Sequence, residues 1–320
     1  MKDSLTNHVF FSTHFTQPDY HCASAIKKAL RNNGIKYSDI KRAKDIWARD
    51  YMPVQIAPKT FVCYKYRPDY LLNPEERMQY ITTKFYDREN ILSTPEKEQC
   101  PILQQEGVEL RNCDLVLDGG NIILCGNRII LTDKVLRENC SKTKDEIVAE
   151  LKEAFRVEHV IIIPSDPYEI EECSKYDELP LCHADGILAP IDDNSILISD
   201  YGNDEKGYVT ELKLILSKFF EKENIHEFKF GDKRTDNSWI YINFLRIGNV
   251  VLMPTVGNDE NMNDADSICD QLALQQLKDI LGIEKVIPIN TRYLTLENLE
   301  NNGGSLHCVS WNVYIDDTDN

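Results

Sequence analysis

The sequence predicts an α/β fold of five repeats arranged around a pseudo-fivefold axis. Three observations carry that expectation. Short strands alternate with amphipathic helices along the whole chain. Polar signatures recur at strand ends: Trp47-Ala48-Arg49-Asp50, Asp118-Gly119-Gly120-Asn121, His183-Ala184-Asp185, Asn243, and Gly303-Gly304-Ser305-Leu306-His307-Cys308. Their separations, from Asp50 through Gly119, His183 and Asn243 to Cys308, are 69, 64, 60 and 65 residues, and five units of about 64 fill the 320 residues. A period on this scale is the mark of a repeat architecture.

The elements follow in order. A strand at 8–12 leads to a helix at 19–33, which stops at Gly34, a residue suited to a left-handed C-terminal position. Strands at 54–57 and 61–66 precede a weaker helix at 75–86. Strands at 121–124 and 128–131 precede a helix whose apolar face is Ile147, Val148, Leu151, Ala154 and Phe155, and then a strand at 159–163. The stretch 168–178, with Glu169, Glu171, Glu172, Asp177 and Glu178, reads as a solvated acidic loop. Strands at 186–189 and 195–199 come before a helix at 210–222, where Leu212, Ile215, Leu216, Phe219 and Phe220 fall at helical spacing. Strands at 239–245 and 250–253 precede a helix carrying Ile268, Leu272, Leu277, Ile280 and Leu281 and stopped by Gly282. Strands at 285–289 and 306–313 end the series. The strands are short, rich in Ile and Val, and bounded by Gly, Pro, Asn and Asp. No Pro-, Gly- or Ser-rich linker divides the chain, so residues 1–320 are expected to form a single domain.

Charge narrows the function. Fifty-three acidic against 36 basic residues give a net −17. That sign disfavours nucleic acid, whose phosphates need Lys and Arg, and attracts a cationic small molecule. No apolar run approaches the 18 residues of a membrane span, and Met1-Lys2-Asp3-Ser4-Leu5 does not read as a signal peptide. Ten irregularly spaced cysteines without Cys-x-x-Cys exclude zinc-ribbon and thioredoxin readings, and fit a reducing cytoplasm. The expectation is a cytoplasmic protein with no nucleic-acid or membrane partner; a homo-oligomer is compatible with the sequence.

Five repeats around one axis would bring equivalent strand ends together. One pocket would then hold Asp50, Asp118, His183, Asp185, Asn243 and Cys308. Taken singly, each has an ordinary structural reading: a buried thiol, a core histidine, a Gly-Gly turn. Together they suggest thiol chemistry on a cation. Cys308 is a nucleophile only if its thiolate is favoured. His307 is unlikely to be its partner, because successive strand residues face opposite ways. His183 arrives from another repeat and is the better candidate, and Asp185, two residues on, shares its face. Two carboxylates can grip a planar guanidinium with charge-assisted hydrogen bonds. A zinc site built from Cys182, His183, Asp185, His307 and Cys308 is disfavoured, because adjacent strand residues diverge and no pair has zinc-site spacing.

These motifs resemble those of the agmatine deiminases and bacterial-type peptidylarginine deiminases, guanidine-modifying enzymes of the pentein fold. Trp47-Ala48-Arg49-Asp50-Tyr51-Met52-Pro53 is similar to Trp-x-Arg-Asp-x-Gly-Pro, Asp118-Gly119-Gly120-Asn121 to Glu-Gly-Gly-Asn, and Cys182-His183-Ala184-Asp185 to Gly-His-Val-Asp. The stretch from Ser238 to Phe244 is similar to Ser-Tyr-x-Asn-Phe, and Gly303 to Cys308 to Gly-Gly-x-Ile-His-Cys. The resemblance runs from Trp47 to Trp311. It implies a five-bladed pseudo-fivefold α/β-propeller of ββαβ-type repeats, and hydrolysis of a guanidino group to a ureido group and ammonia without metal or other cofactor. It implies that Cys308 attacks the guanidinium carbon, that His183 protonates the leaving nitrogen and then deprotonates water, and that Asp118 orients His183. It further implies that Asp50 and Asp185 hold the guanidinium, with Trp47, Asn243 and Gly304 completing the substrate pocket. This chain departs from the pattern at Met52, Asp118 and Cys182, and after Asp185 and Cys308. The guanidinium end is kept while the walls around the substrate's tail are altered. Agmatine is the expected substrate; peptidylarginine or free arginine is the first alternative, and a catalytically inactive binding module the second.

Overall fold

The computed structural model describes residues 1–15, 21–41, 45–68, 100–175, 180–204, 206–258, 263–297 and 304–316. Fifteen strands among these form five three-stranded sheets of one design. In chain order they are β1 (His8–Ser12), β2 (Lys36–Ile40), β3 (Val54–Ala57), β4 (Thr60–Lys65), β5 (Glu109–Val116), β6 (Ile123–Cys125), β7 (Arg128–Thr132), β8 (His159–Ile163), β9 (Leu188–Pro190), β10 (Ile196–Ile198), β11 (Ile225–Glu227), β12 (Leu245–Ile247), β13 (Val250–Thr255), β14 (Val286–Asn290) and β15 (Ser310–Val313).

In four sheets a short hairpin pairs the first two strands antiparallel, and the third strand then joins the middle one in parallel. Parallel neighbours need a crossover, and helices supply it. Lys144–Phe155 lies between β7 and β8, Tyr208–Leu216 between β10 and β11, and Ala265–Leu281 between β13 and β14. The remaining sheet takes its antiparallel partner from the other end of the chain: β15 pairs with β1, which pairs in parallel with β2 across helix His21–Asn32. The result is one three-stranded design repeated five times, a pseudo-fivefold α/β arrangement in which four crossovers carry a described helix; the crossover from β4 to β5 lies largely outside the described residues.

Local sequence explains two of the crossover helices. Thr143 and Glu146 form a reciprocal capping box at the start of Lys144–Phe155. Asp264 caps Ala265–Leu281, which ends at Gly282 with φ +61°. The central strands are buried along most of their length, and β13 along all of it, as strands covered on both faces require. Ile129, Leu131, Ile147, Leu151 and Phe155 share one core with Phe61 and Leu115 of the neighbouring sheet.

Several expectations need correction. The stretch 239–245 is not a strand: Ser238–Ile242 is a 3-10 turn, and β12 begins at Leu245. The strand expected at 306–313 is a turn up to Val309 and extended only from Ser310. The acidic loop is helix Pro167–Lys175 as far as it is described. The buried stripe of Ala265–Leu281 is Cys269, Ala273 and Leu277, with Leu272 exposed. Strands β2, β5 and β11 were not expected; each is a sheet edge, and all carry polar residues that hide a strand pattern. The helix expected at 75–86 lies outside the described residues. Among the described residues no helix is long and apolar enough to cross a membrane.

Candidate active site

The five polar signatures sit in turns at strand ends, and hydrogen bonds link them in a closed circuit. Gly120 N–H donates to Asp50 Oδ1 at 2.9 Å. Ala184 N–H donates to Asn121 Oδ1 at 3.2 Å. Asn243 Nδ2 donates to Asp185 O at 3.3 Å, and its Oδ1 accepts from His307 N–H at 3.1 Å. Arg49 N–H then donates to Cys308 O at 3.0 Å, returning to the first segment. Residues up to about 260 positions apart in sequence are thereby neighbours.

Gly120 marks the point of convergence. A Cβ there would lie 2.8 Å from Asp50 Oδ1, 2.9 Å from His183 Nδ1 and 3.1 Å from Asp185 Oδ2. No side chain fits, so this second glycine of Gly119-Gly120 is what lets the three groups meet. Gly119 is equally constrained, since its Cβ would sit 1.9 Å from Arg49 O. At Gly304 a Cβ would be 2.3 Å from the Trp47 ring, so the buried indole packs directly on that backbone. Gly303 lies outside the described residues.

His183 stands between two buried carboxylates. Asp118 Oδ2 is 3.4 Å from Nε2 and Asp50 Oδ1 is 3.7 Å from Nδ1. Cys308 Sγ is 3.6 Å from Asp185 Oδ2 and 3.4 Å from Asn243 Oδ1. All eight residues singled out in the sequence are thus brought to one locality: Cys308, His183, Asp118, Asp50, Asp185, Trp47, Asn243 and Gly304.

The strand geometry invoked for His307 is not the one observed. The strand argument set it aside, but Leu306–Val309 is a turn, and His307 Nδ1 lies 2.7 Å from Asp185 Oδ2, the oxygen nearest the Cys308 sulfur. Arg49 had no role assigned; its Nε donates to His307 O at 3.3 Å and its Nη2 to Asn312 Oδ1 at 2.5 Å. Glu169, read as part of a solvated loop, accepts the Cys182 N–H at 3.1 Å. That bond helps to hold Cys182 at φ +54°, left-handed backbone that favours glycine. Position 182 thus holds a cysteine in backbone that glycine adopts most readily. Among the described residues no three His, Cys, Asp or Glu side chains are arranged to hold a metal ion.

The electrostatics follow from packing so many acids together. Burial, reinforced by Asp118 and Asp185, pushes the Asp50 carboxyl up to about 7. Burial presses the His183 imidazole down, but Asp50 and Asp118 outweigh it and raise it to about 9. Burial acts to raise Asp118, yet the Lys134 ammonium and His183 hold it well below the usual carboxylate range. Asp185 is likewise depressed against its burial by the bond to His307. The Cys308 thiol is driven well above its ordinary value by burial and then by Asp185 and Asp50. The resting centre is therefore a neutral thiol beside carboxylates that lack a full complement of positive charge. A planar cation placed among them would supply it.

The model of the Porphyromonas-type peptidyl-arginine deiminase family matches residues 13–313. Similar solved structures include an agmatine deiminase of Enterococcus faecalis, 17% identical, with a TM-score of 0.63 over 96% of this chain and 93% of that one. An agmatine deiminase of C. jejuni is 17% identical, with a TM-score of 0.60 over 97% and 94%. The DDAH from Pseudomonas aeruginosa is 15% identical, with a TM-score of 0.52 over 96% and 99%. No curated protein matches the chain. With the family model covering nearly its whole length, the chain belongs to the Porphyromonas-type peptidyl-arginine deiminase family and is a guanidine-modifying hydrolase.

Proposed function

We propose that the five sheets close into one five-bladed propeller of pentein type, a single catalytic domain over residues 1–320, and that it hydrolyses agmatine to N-carbamoylputrescine and ammonia. The observation that carries this reading is the convergence of Asp50, His183 and Asp185 on Gly120, with Cys308 against Asp185.

The guanidinium lies between Asp50 and Asp185, and its charge offsets theirs. That removes the repulsion Asp185 and Asp50 add to burial in holding Cys308 un-ionised, and its proton leaves to solvent as the cation binds. The sulfur attacks the guanidinium carbon and forms a C–S bond. Protonated His183 gives its proton to the departing nitrogen, the C–N bond breaks, and ammonia leaves a covalent thiouronium. His183, now neutral, takes a proton from water, and the hydroxide oxygen bonds to the same carbon. The C–S bond breaks, the hydroxyl proton leaves with the sulfur to restore the thiol, and the ureido product is released. Asp118 keeps the ring oriented throughout, while Trp47, Asn243 and Gly304 shape the pocket. A second cationic group on the substrate suits a chain of net charge −17, which favours agmatine. The family's name favours a second reading, peptidylarginine as substrate.

The test is ammonia and ureido product from agmatine, arginine and a peptidylarginine, side by side across pH. Agmatine is expected to have the highest kcat/KM. The profile should be a bell. Below about 7, protonated Asp50 no longer binds the cation; above about 9, deprotonated His183 no longer serves the leaving nitrogen. Product from peptidylarginine alone would replace the substrate assignment, and no ureido product from any guanidine would leave only a binding module.

A further inference from the structure

A buried lysine behind Asp118 is assigned no part in the chemistry above. Lys134 opens the helix Lys134–Glu138, directly after β7. Its side chain is 3% exposed, with Nζ 2.9 Å from Asp118 Oδ2 and 3.9 Å from Glu138 Oε1, itself 1% exposed. This placement breaks two local rules. Lysine is among the residues least often fully buried, and a cation in the first turn of a helix opposes the helix dipole. A buried ion pair is weak evidence for stability, so this one calls for another explanation.

The four side chains form a line of alternating charge running inward: Glu138, Lys134, Asp118, His183, with Asp118 Oδ2 shared between the ammonium and the imidazole. We propose that Lys134 is a positioning residue that sets the proton affinity of the Asp118–His183 pair, keeping His183 able both to give up its proton and to take one back. Asp50 and Asp118 flank the ring at its two nitrogens, Asp185 converges with it on Gly120, and Glu169 acts on it from Pro167–Lys175. Without a balancing cation this ring among acids would hold its proton too tightly. It would then be a poor donor to the leaving nitrogen and rarely neutral when water must be activated. Lys134 supplies the opposing charge from the far side of Asp118 Oδ2, and Glu138 moderates it in turn.

The inference rests on His183 being the proton carrier, but its test does not depend on the substrate. The His183 ring is followed by NMR in 15N-histidine-labelled full-length protein, its signal assigned by loss in His183→Gln. In Lys134→Met the macroscopic pKa of the Asp118–His183 pair is expected to rise by about one unit or more, whichever partner holds the proton, because a buried cation beside it is gone. In Glu138→Gln, a near-isosteric change that leaves Lys134 less neutralised, the same pKa is expected to fall. Lys134→Arg should restore the wild-type value. Kinetically, the alkaline limb of kcat should move with the NMR value, and the thiouronium should accumulate in Lys134→Met by intact mass. A lysine that served packing alone would not give shifts of opposite sign. An unchanged pair pKa in Glu138→Gln and Lys134→Met overturns the proposal; should Lys134→Met fail to fold, Glu138→Gln decides alone. Opposite shifts in a protein that turns over no guanidine would sustain the electrostatic role and reject the proposed reaction.

Discussion

Cys308→Ala is expected to lower turnover at least about 10³-fold, as loss of a covalent nucleophile generally does, while leaving the five sheets intact. The substitution removes one sulfur from a half-buried turn, and with it contacts to Asp185 and Asn243 at 3.6 and 3.4 Å. Weak thiol bonds of this kind contribute about 1 kcal/mol or less, so the urea midpoint should barely move. Steady-state ammonia release together with the melt separates the two effects. A near-normal rate in Cys308→Ala would eliminate the covalent route.

Asp185→Asn should change two measurements in opposite directions. Turnover should fall, with kcat/KM for the guanidine lower by roughly 10²–10³-fold, the scale for losing one partner of a buried charge-paired contact. Meanwhile the Cys308 thiol should become easier to ionise, because the Asp185 charge is one of the groups holding it un-ionised. Substrate-free alkylation of Cys308 by iodoacetamide at fixed pH should therefore speed up, although the enzyme is slower. Equal loss of both rates would point to a collapsed pocket rather than a removed charge, and unchanged kcat/KM would strip Asp185 of its part in binding.

Much of the site was legible because it is built on a period. Asp50, Asp118, His183, Asn243 and Cys308 recur every 60–68 residues at strand ends, and the repeat supplies the spatial contact that sequence distance hides. Strands His8–Ser12, Val54–Ala57 and His159–Ile163 were legible because their apolar runs are bounded by clear breaks. What escaped depends on partners elsewhere in the chain. Strand β5 reads Glu-Leu-Arg-Asn-Cys-Asp-Leu-Val, a polar sequence ordered by its ladder with β4. His307 was dismissed on a strand geometry that the Leu306–Val309 turn does not have. Glu169 looked like one acid among many until Cys182, in left-handed backbone, gave it an amide to accept. Lys134 has meaning only beside Asp118, 16 positions earlier.

The pairing of β15 with β1 gives the molecule a temporal order as well as a spatial one. The segment that supplies the sulfur is the last of the five to leave the ribosome, and it is also the strand that completes the first sheet. Without that stretch the proposed centre would lack Cys308 and β1 would lack its antiparallel partner. Completion of the first sheet and provision of the proposed nucleophile thus depend on one stretch, and a product ending before Cys308 is expected to lack both.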